Sequence, residues 1–203
     1  QLAGHGDERG HVAHPVVDTS PTVTSARSGP SLDVVLNRPH RHNAVSRLLR
    51  DELVEALAVA LVDDTITEVV VRGAGASFCS GGDLGEFGSL PDPATAHAVR
   101  STRHPARALI ACAERVHVRV HGACVGAGIE LPAFAAQVIA REDSWFQLPE
   151  VGMGLVPGAG GTVSLPRRIG RQRTAWLALS GERLDAARAA AWGLVDGLES
   201  AES

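Results

Sequence analysis

Two glycine-rich stretches carry the reading of this chain: Ser77-Phe78-Cys79-Ser80-Gly81-Gly82-Asp83-Leu84 and His121-Gly122-Ala123-Cys124-Val125-Gly126-Ala127-Gly128-Ile129-Glu130. Pro149-Glu150 and then Val156-Pro157-Gly158-Ala159-Gly160-Gly161-Thr162 follow the second. Glycine at this density lets backbone N–H groups approach a ligand closely, and two of the segments also carry a carboxylate at a fixed offset. The combination suggests a preorganised anion hole beside paired acids.

Outside these stretches the composition mainly excludes. A chain of 203 residues with 44% apolar content buries one substantial core, so one domain is expected. The formal net charge of −4 provides no global basic field to recruit nucleic acid or an anionic membrane. All 19 basic residues are arginine, and lysine and tyrosine are absent. Without a lysine amine there is no Schiff-base chemistry, no internal pyridoxal-phosphate attachment and no Walker A loop. Cys79, Cys112 and Cys124 lack CxxC spacing, which argues against a disulfide framework or a zinc site and for a reducing, cytoplasmic compartment.

Residues 1–20 mix Gly, His, Asp and Pro without periodicity and read as a flexible leader with no signal-peptide core, leaving residues 21–203 as the domain. Nowhere does an apolar run reach the ~18 residues of a membrane span. Val23–Ser25 and Leu32–Leu36 around the Ser28-Gly29-Pro30 turn signal predict a hairpin. Ser46 reads as an N-cap, and Leu49, Leu53, Leu57 and Leu61 predict an amphipathic helix ending near Asp63. Val69–Val71 predicts a buried strand feeding a functional loop, Pro91-Asp92-Pro93 the start of a helix over 94–115, and Val116–Val120 a strand leading into Gly122. Gly126 to Phe134 predicts a buried helix. More helix follows Thr162 until Ser180-Gly181 breaks it before Ala186–Trp192. Strand, strand and helix in repetition indicate an α/β fold, and periodicity alone allows any doubly wound arrangement.

Each motif also has an ordinary structural reading. Neither Gly126-Ala127-Gly128 nor Gly158-Ala159-Gly160 completes a dinucleotide fingerprint, because the third glycine falls at Leu131 and Val163. Ser80 beside Cys79 is not a nucleophile elbow. Asp83 suits a helix N-cap, and His121 reads as a strand-end histidine rather than a base. Glu130 opens the apolar run Glu-Leu-Pro-Ala-Phe, where an unpaired buried carboxylate is costly, so a functional role is favoured. Taken alone, Glu150 is a solvated loop acid.

The chain resembles the crotonase superfamily, the enoyl-CoA hydratase/isomerase group. The resemblance runs through Leu36-Asn37-Arg38-Pro39, Asn43-Ala44, Phe78 to Asp83, Gly126 to Leu131, Phe146, Pro149-Glu150 and Pro157 to Thr162, across roughly residues 31–197. It implies an α/β spiral of ββα units, here with a short or missing C-terminal helical region because the chain stops at Ser203. It implies backbone amides of Gly82 and Ala127 as an oxyanion hole and Glu130 and Glu150 as catalytic acids acting on one water. Arg38, Arg41, Ser80, Asp83, Leu84 and Gly158 are carried over as substrate-binding, Gly158 through a backbone that holds the water. Lysines that contact CoA phosphates in relatives are replaced here by His40 and Gly85, so Arg38 or Arg41 has to substitute. A customary aspartate is Ala136. The implied substrate is an acyl-CoA thioester, with no metal or organic cofactor, in a homotrimer or hexamer. An enoyl-CoA isomerase, another enolate-forming relative, and a non-catalytic acyl-CoA- or partner-binding subunit stay as alternatives, and the partners of the apolar faces around Trp176 and Trp192 are left open.

Overall fold

In the computed structural model, which describes residues 20–86, 92, 95 and 102–201, the chain opens with an antiparallel hairpin. Strands β1 (Val23–Ser28) and β2 (Ser31–Leu36) pair down to Ser28↔Ser31, with Gly29 at φ +58° making the turn that an L side chain resists. The leader expected over residues 1–20 lies, except for Ser20, outside the described residues.

Helix α1 (Arg47–Val62) starts where the Ser46 hydroxyl accepts the Leu49 N–H at 3.2 Å, and it ends at Asp63. Its inward face is Leu49, Leu53, Ala56, Leu57 and Ala60. Leu61, expected in that stripe, is 37% exposed: a four-residue spacing drifts off a 3.6-residue helix, and Ala60 takes the inward place.

Strands β3 (Glu68–Gly73), β4 (Val116–Val120), β6 (Gln137–Arg141) and β9 (Gly197–Glu199) continue the sheet in the order β1-β2-β3-β4-β6-β9. Every pairing after the hairpin is parallel. Parallel neighbours require crossover connections, and alternate residues bury one face: Leu32, Val34 and Leu36, then Val69 and Val71, Val116 and Val118, Val138 and Ala140. A second sheet, β5 (Ala123–Val125), β7 (Trp145–Gln147) and β8 (Leu184–Asp185), has the order β5-β7-β8.

The helix expected over 94–115 lies partly outside the described residues. Within them, α2 (Pro105–Ala111) is followed by a 3-10 turn at Ala113–Arg115. The buried helix expected from Gly126 is split into a short α3 (Ala127–Glu130) and a 3-10 turn (Pro132–Phe134), because Pro132 lacks the N–H that would continue it. Helices α4 (Gly161–Ser180), kinked at Gly170 where φ is +80°, and α5 (Ala186–Trp192) precede the last strand, β9. Trp176 and Trp192 satisfy each other edge to face at 5.4 Å, with the Arg188 guanidinium 4.6 and 4.7 Å from the two ring centroids. The partners left open for these aromatics in the sequence lie within the chain.

Asn43 joins the first half of the fold to the loop after β3. Buried and at φ +54°, it donates Nδ2 to the carbonyls of Ala74, Ser77 and Phe78 at 2.8–3.1 Å, and its Oδ1 accepts the Arg38 N–H at 2.8 Å. Asparagine tolerates this left-handed conformation better than most residues and satisfies carbonyls that the turn leaves free.

Candidate active site

The two glycine stretches meet edge to edge. The Cys79 N–H donates to the Ala123 carbonyl at 3.1 Å, and the Val125 N–H donates back to the Cys79 carbonyl at 2.9 Å. This close approach requires glycine at Gly81 and Gly128. A Cβ at Gly81, where φ is +98°, would stand 3.1 Å from the Val125 carbonyl oxygen, and one at Gly128 would stand 2.4 Å from that of Cys79.

The ladder leaves particular amides over. The Val45 N–H donates to the Gly81 carbonyl and the Asp83 N–H to the Val45 carbonyl, so the Gly82 N–H between them has no hydrogen-bond partner among the described residues. Ala127 is the first residue of α3, whose bonds begin with the Ile129 and Glu130 amides on the Gly126 carbonyl, so its N–H is likewise free among the described residues. Gly81 and Gly126, the residues just before these two amides, touch: the Gly81 Cα lies 3.7 Å from where a Gly126 Cβ would be. Two unpartnered donors therefore sit on abutting turns.

Helix α3 carries Glu130 into the interior at 1% exposure. Its Oε2 accepts the Ala159 N–H at 2.8 Å and the Gly161 N–H at 2.7 Å, while the Ser164 hydroxyl donates to its main-chain carbonyl at 2.8 Å. Burial pushes its carboxyl up to about 7 and the Glu150 carboxylate adds to the rise, against the pull of the Gly161 and Ala159 amides. A Cβ at Gly161 would stand 2.8 Å from that same oxygen. The resemblance carries over Gly158 from this segment, for holding the water; the amides that reach Glu130 are those of Ala159 and Gly161, which only the Pro157 to Gly161 run signals in the sequence.

Glu150 opens a 3-10 turn (Glu150–Met153) directly after β7. The Gly126 N–H donates to the Gln147 carbonyl at 3.0 Å, which fixes this turn against the start of α3. Glu150 Oε1 occupies the space a Gly126 Cβ would need, 2.3 Å from it, and Oε2 is buried with no partner among the described residues. Burial raises the Glu150 carboxyl as well, its own backbone N–H opposing. The solvated loop acid suggested by the bare sequence is instead a half-buried carboxyl whose charge reaches Glu130.

The remaining expected residues divide. Arg38 is only 15% exposed and is committed to the Ala44 carbonyl at 2.7 Å and Asp83 Oδ2 at 2.9 Å, which makes it a strut under the Gly82 loop. Burial opposes the ionisation of Asp83, but hydrogen bonds from Arg38 and Gly85, with the charges of Arg38 and Arg41, outweigh it and hold the carboxyl below its usual range. Asp83 Oδ1 also accepts the Gly85 N–H at 3.1 Å ahead of the 3-10 turn Leu84–Glu86, close to the capping role read for it. Arg41 is exposed, and its carbonyl accepts the Ser80 hydroxyl at a long 3.5 Å. Leu84 is exposed on the surface. Gly158 is exposed too, its carbonyl 3.3 Å from His104 Nε2. Beside the amides lies an apolar cavity of about 20 Å³, lined among the described residues by Phe78, Cys79, Leu109, Ala127 and Leu131 and floored by Leu49 and Leu53. As expected, His121 is a strand-end residue, its Nε2 2.8 Å from the Gly75 carbonyl oxygen.

A parallel sheet wound through crossover helices, with abutting glycine turns and two carboxyls behind them, defines the crotonase class. The chain belongs to the enoyl-CoA hydratase/isomerase family of that superfamily, whose pattern matches residues 31–203. It is similar to the 2,3-dehydroadipyl-CoA hydratase of Escherichia coli K12, 37% identical over 163 residues that cover 80% of this chain and 63% of the relative. The 1,2-epoxyphenylacetyl-CoA isomerase of the same organism is 35% identical, with 81% and 64% covered. The crystal structure of enoyl-CoA hydratase from Thermoplasma volcanium superposes with a TM-score of 0.82 at 34% identity, covering 89% of this chain and 72% of that one. The chain spans 62–69% of the length of the curated relatives it matches.

Proposed function

We propose that this chain performs enoyl-CoA hydratase-type lyase chemistry, adding water across the double bond of a 2-enoyl-CoA thioester without a metal or organic cofactor. The observation that supports it most is a buried carboxyl anchored by the Ala159 and Gly161 amides together with a half-buried one whose Oε2 is unpartnered among the described residues, near two amides that are likewise unpartnered among them. As water attacks the β-carbon, negative charge develops on the thioester oxygen, and the Gly82 and Ala127 N–H groups would receive it at no reorganisation cost. One carboxylate takes a proton from water and the other carboxyl protonates the α-carbon. A carboxyl raised to about 7 populates both forms near neutrality, which suits a group that alternately holds and releases a proton. Two carboxyls also favour hydration over an isomerase that needs only one proton shuttle.

With Arg38 turned inward, Arg41 is, of the two arginines expected to substitute for lysine, the exposed one available to a CoA phosphate. Crotonyl-CoA tests the reading: loss of the conjugated-thioester absorbance with one oxygen of ¹⁸O-labelled water in the product is expected. Rearranged product without label would replace it with an isomerase, and binding without turnover with a non-catalytic subunit. We place the protein in the cytoplasm; no described helix is long and apolar enough to cross a membrane. The reading includes assembly into trimers or hexamers, for which the exposed apolar turn residues Val151, Met153 and Val156 are candidate contacts. Light scattering at micromolar concentration should give three or six chain masses, and a clean monomer would refute the assembly.

A further inference from the structure

The Gly158–Ala159 peptide is gripped from both sides. Its N–H donates to Glu130 Oε2 at 2.8 Å, and its carbonyl oxygen lies 3.3 Å from His104 Nε2. The chain contains no cis peptide among its described residues, so this unit is planar and trans and the two groups point in opposite directions. His104 is itself oriented: it is the N-cap of α2, where its Nδ1 accepts the Ala106 N–H at 3.2 Å. A ring that accepts at Nδ1 carries its proton on Nε2, so the contact with Gly158 is an N–H···O=C hydrogen bond from the neutral tautomer.

We propose that His104 is a positioning residue for Glu130, acting through the Gly158–Ala159 peptide that it holds from the side opposite the carboxylate. No sequence motif marked His104 for such a role. Three segments otherwise far apart in sequence, the α2 cap, the glycine run before α4 and the carboxyl on α3, become one hydrogen-bonded line. A donor on the carbonyl fixes the tilt of the peptide plane and polarises its N–H, strengthening the bond to Glu130. The segment is also closely packed. A Cβ at Gly160 would stand 2.8 Å from the Phe134 ring and 3.2 Å from the Ala106 Cβ, so this segment rests directly on the start of α2.

Two substitutions separate the functions of the ring nitrogens. In His104→Asn the amide oxygen stands near Nδ1 and keeps the cap, but nothing reaches Gly158. In His104→Gln the longer amide reaches the Gly158 carbonyl and the cap is lost. The first measurement is the titration of the Glu130 carboxyl by ¹³C NMR, assigned with Glu130→Gln, and it does not depend on any activity. Among the described residues, the ionisable groups whose charge couples to Glu130 are Glu150 and the buried Cys79 thiol, and both are unchanged in the two variants. Because the Ala159 amide favours the ionised form, His104→Asn should move the Glu130 titration upward with an unchanged melting temperature. His104→Gln should leave the titration near wild type and lower the melting temperature.

The inference also rests, for its kinetic arm, on the hydratase reading. On crotonyl-CoA, His104→Asn should lose roughly three- to tenfold in kcat with little change in KM, the effect of one hydrogen bond, and His104→Gln should recover most of it. A wild-type protein that hydrates nothing would remove the hydratase reading and leave the titration to decide on His104. An unmoved Glu130 titration in His104→Asn, or equal shifts in both variants, would overturn the proposal.

Discussion

Glu130→Gln and Glu150→Gln are each expected to lower the turnover of crotonyl-CoA by about 10²–10⁴, the usual contribution of a positioned proton-transfer group. Gln keeps the shape of the side chain and can still accept the Ala159 and Gly161 amides through its carbonyl oxygen, so the fold around Glu130 should survive. If both variants hydrate at near wild-type rates, the two-carboxyl mechanism is wrong. The same substitution has a thermodynamic signature. Burial, with the Glu150 charge, raises the Glu130 carboxyl in the folded chain from an ordinary 4.5 to about 7, so the fold binds a proton that the unfolded chain releases. Its contribution is complete below about pH 4.5 and is lost as the pH rises through about 7, an effect on the order of 2–4 kcal/mol for a group this buried. Glu150, raised by burial, tilts stability the same way. Urea unfolding at pH 5 and pH 8 should therefore show wild type weakened at the higher pH, and Glu130→Gln much less so. Equal pH dependence in the two proteins would mean that Glu130 titrates normally.

Gly82→Pro and Ala127→Pro are expected to cost about 10²–10³ in turnover each, because each deletes one donor to the developing oxyanion. Both amides are free of partners among the described residues, so proline removes no structural hydrogen bond at either site. Ala127 is the first helical position of α3, where proline's fixed φ and missing N–H are tolerated. Gly126 just before it, at φ +51° and ψ −116°, is the position most exposed to the new ring, so folding has to be checked by circular dichroism and thioester binding by calorimetry. Ala127→Gly keeps the N–H and should be mild. Proline variants that fold and bind but keep more than about a tenth of wild-type turnover would rule out an oxyanion hole at these amides.

Legibility in the sequence follows the range of the interactions. Ser46 and the leucine stripe marked α1 to within a residue, and Val116 to Val120 was read as the strand it forms, since capping and side-chain alternation are local. The short strands β5, β7 and β8 were not read. Each is two or three residues long, too short for a period, and is held by partners distant in sequence. In the site, the positions of Glu130 and Glu150 came from a matched motif, but their states did not. Nothing around Glu150 in the sequence says that its Oε2 is buried, or that Gly126 leaves the space its other oxygen fills.

By itself, then, the sequence determined which residue types are available to do chemistry and where the backbone can bend: no lysine amine, two glutamates at fixed offsets from glycine turns, and the breaks at Gly29 and Gly181. Those are properties of a side chain and its nearest neighbours. Only the tertiary structure decided that Arg38 is spent on Asp83, that Ala159 and Gly161 hold Glu130, that His104 grips the Gly158–Ala159 peptide, and that Trp176 and Trp192 close on Arg188. Desolvation and hydrogen-bond geometry depend on what chain folding brings within about 3 Å, and residues 29 to 54 positions apart supply it here.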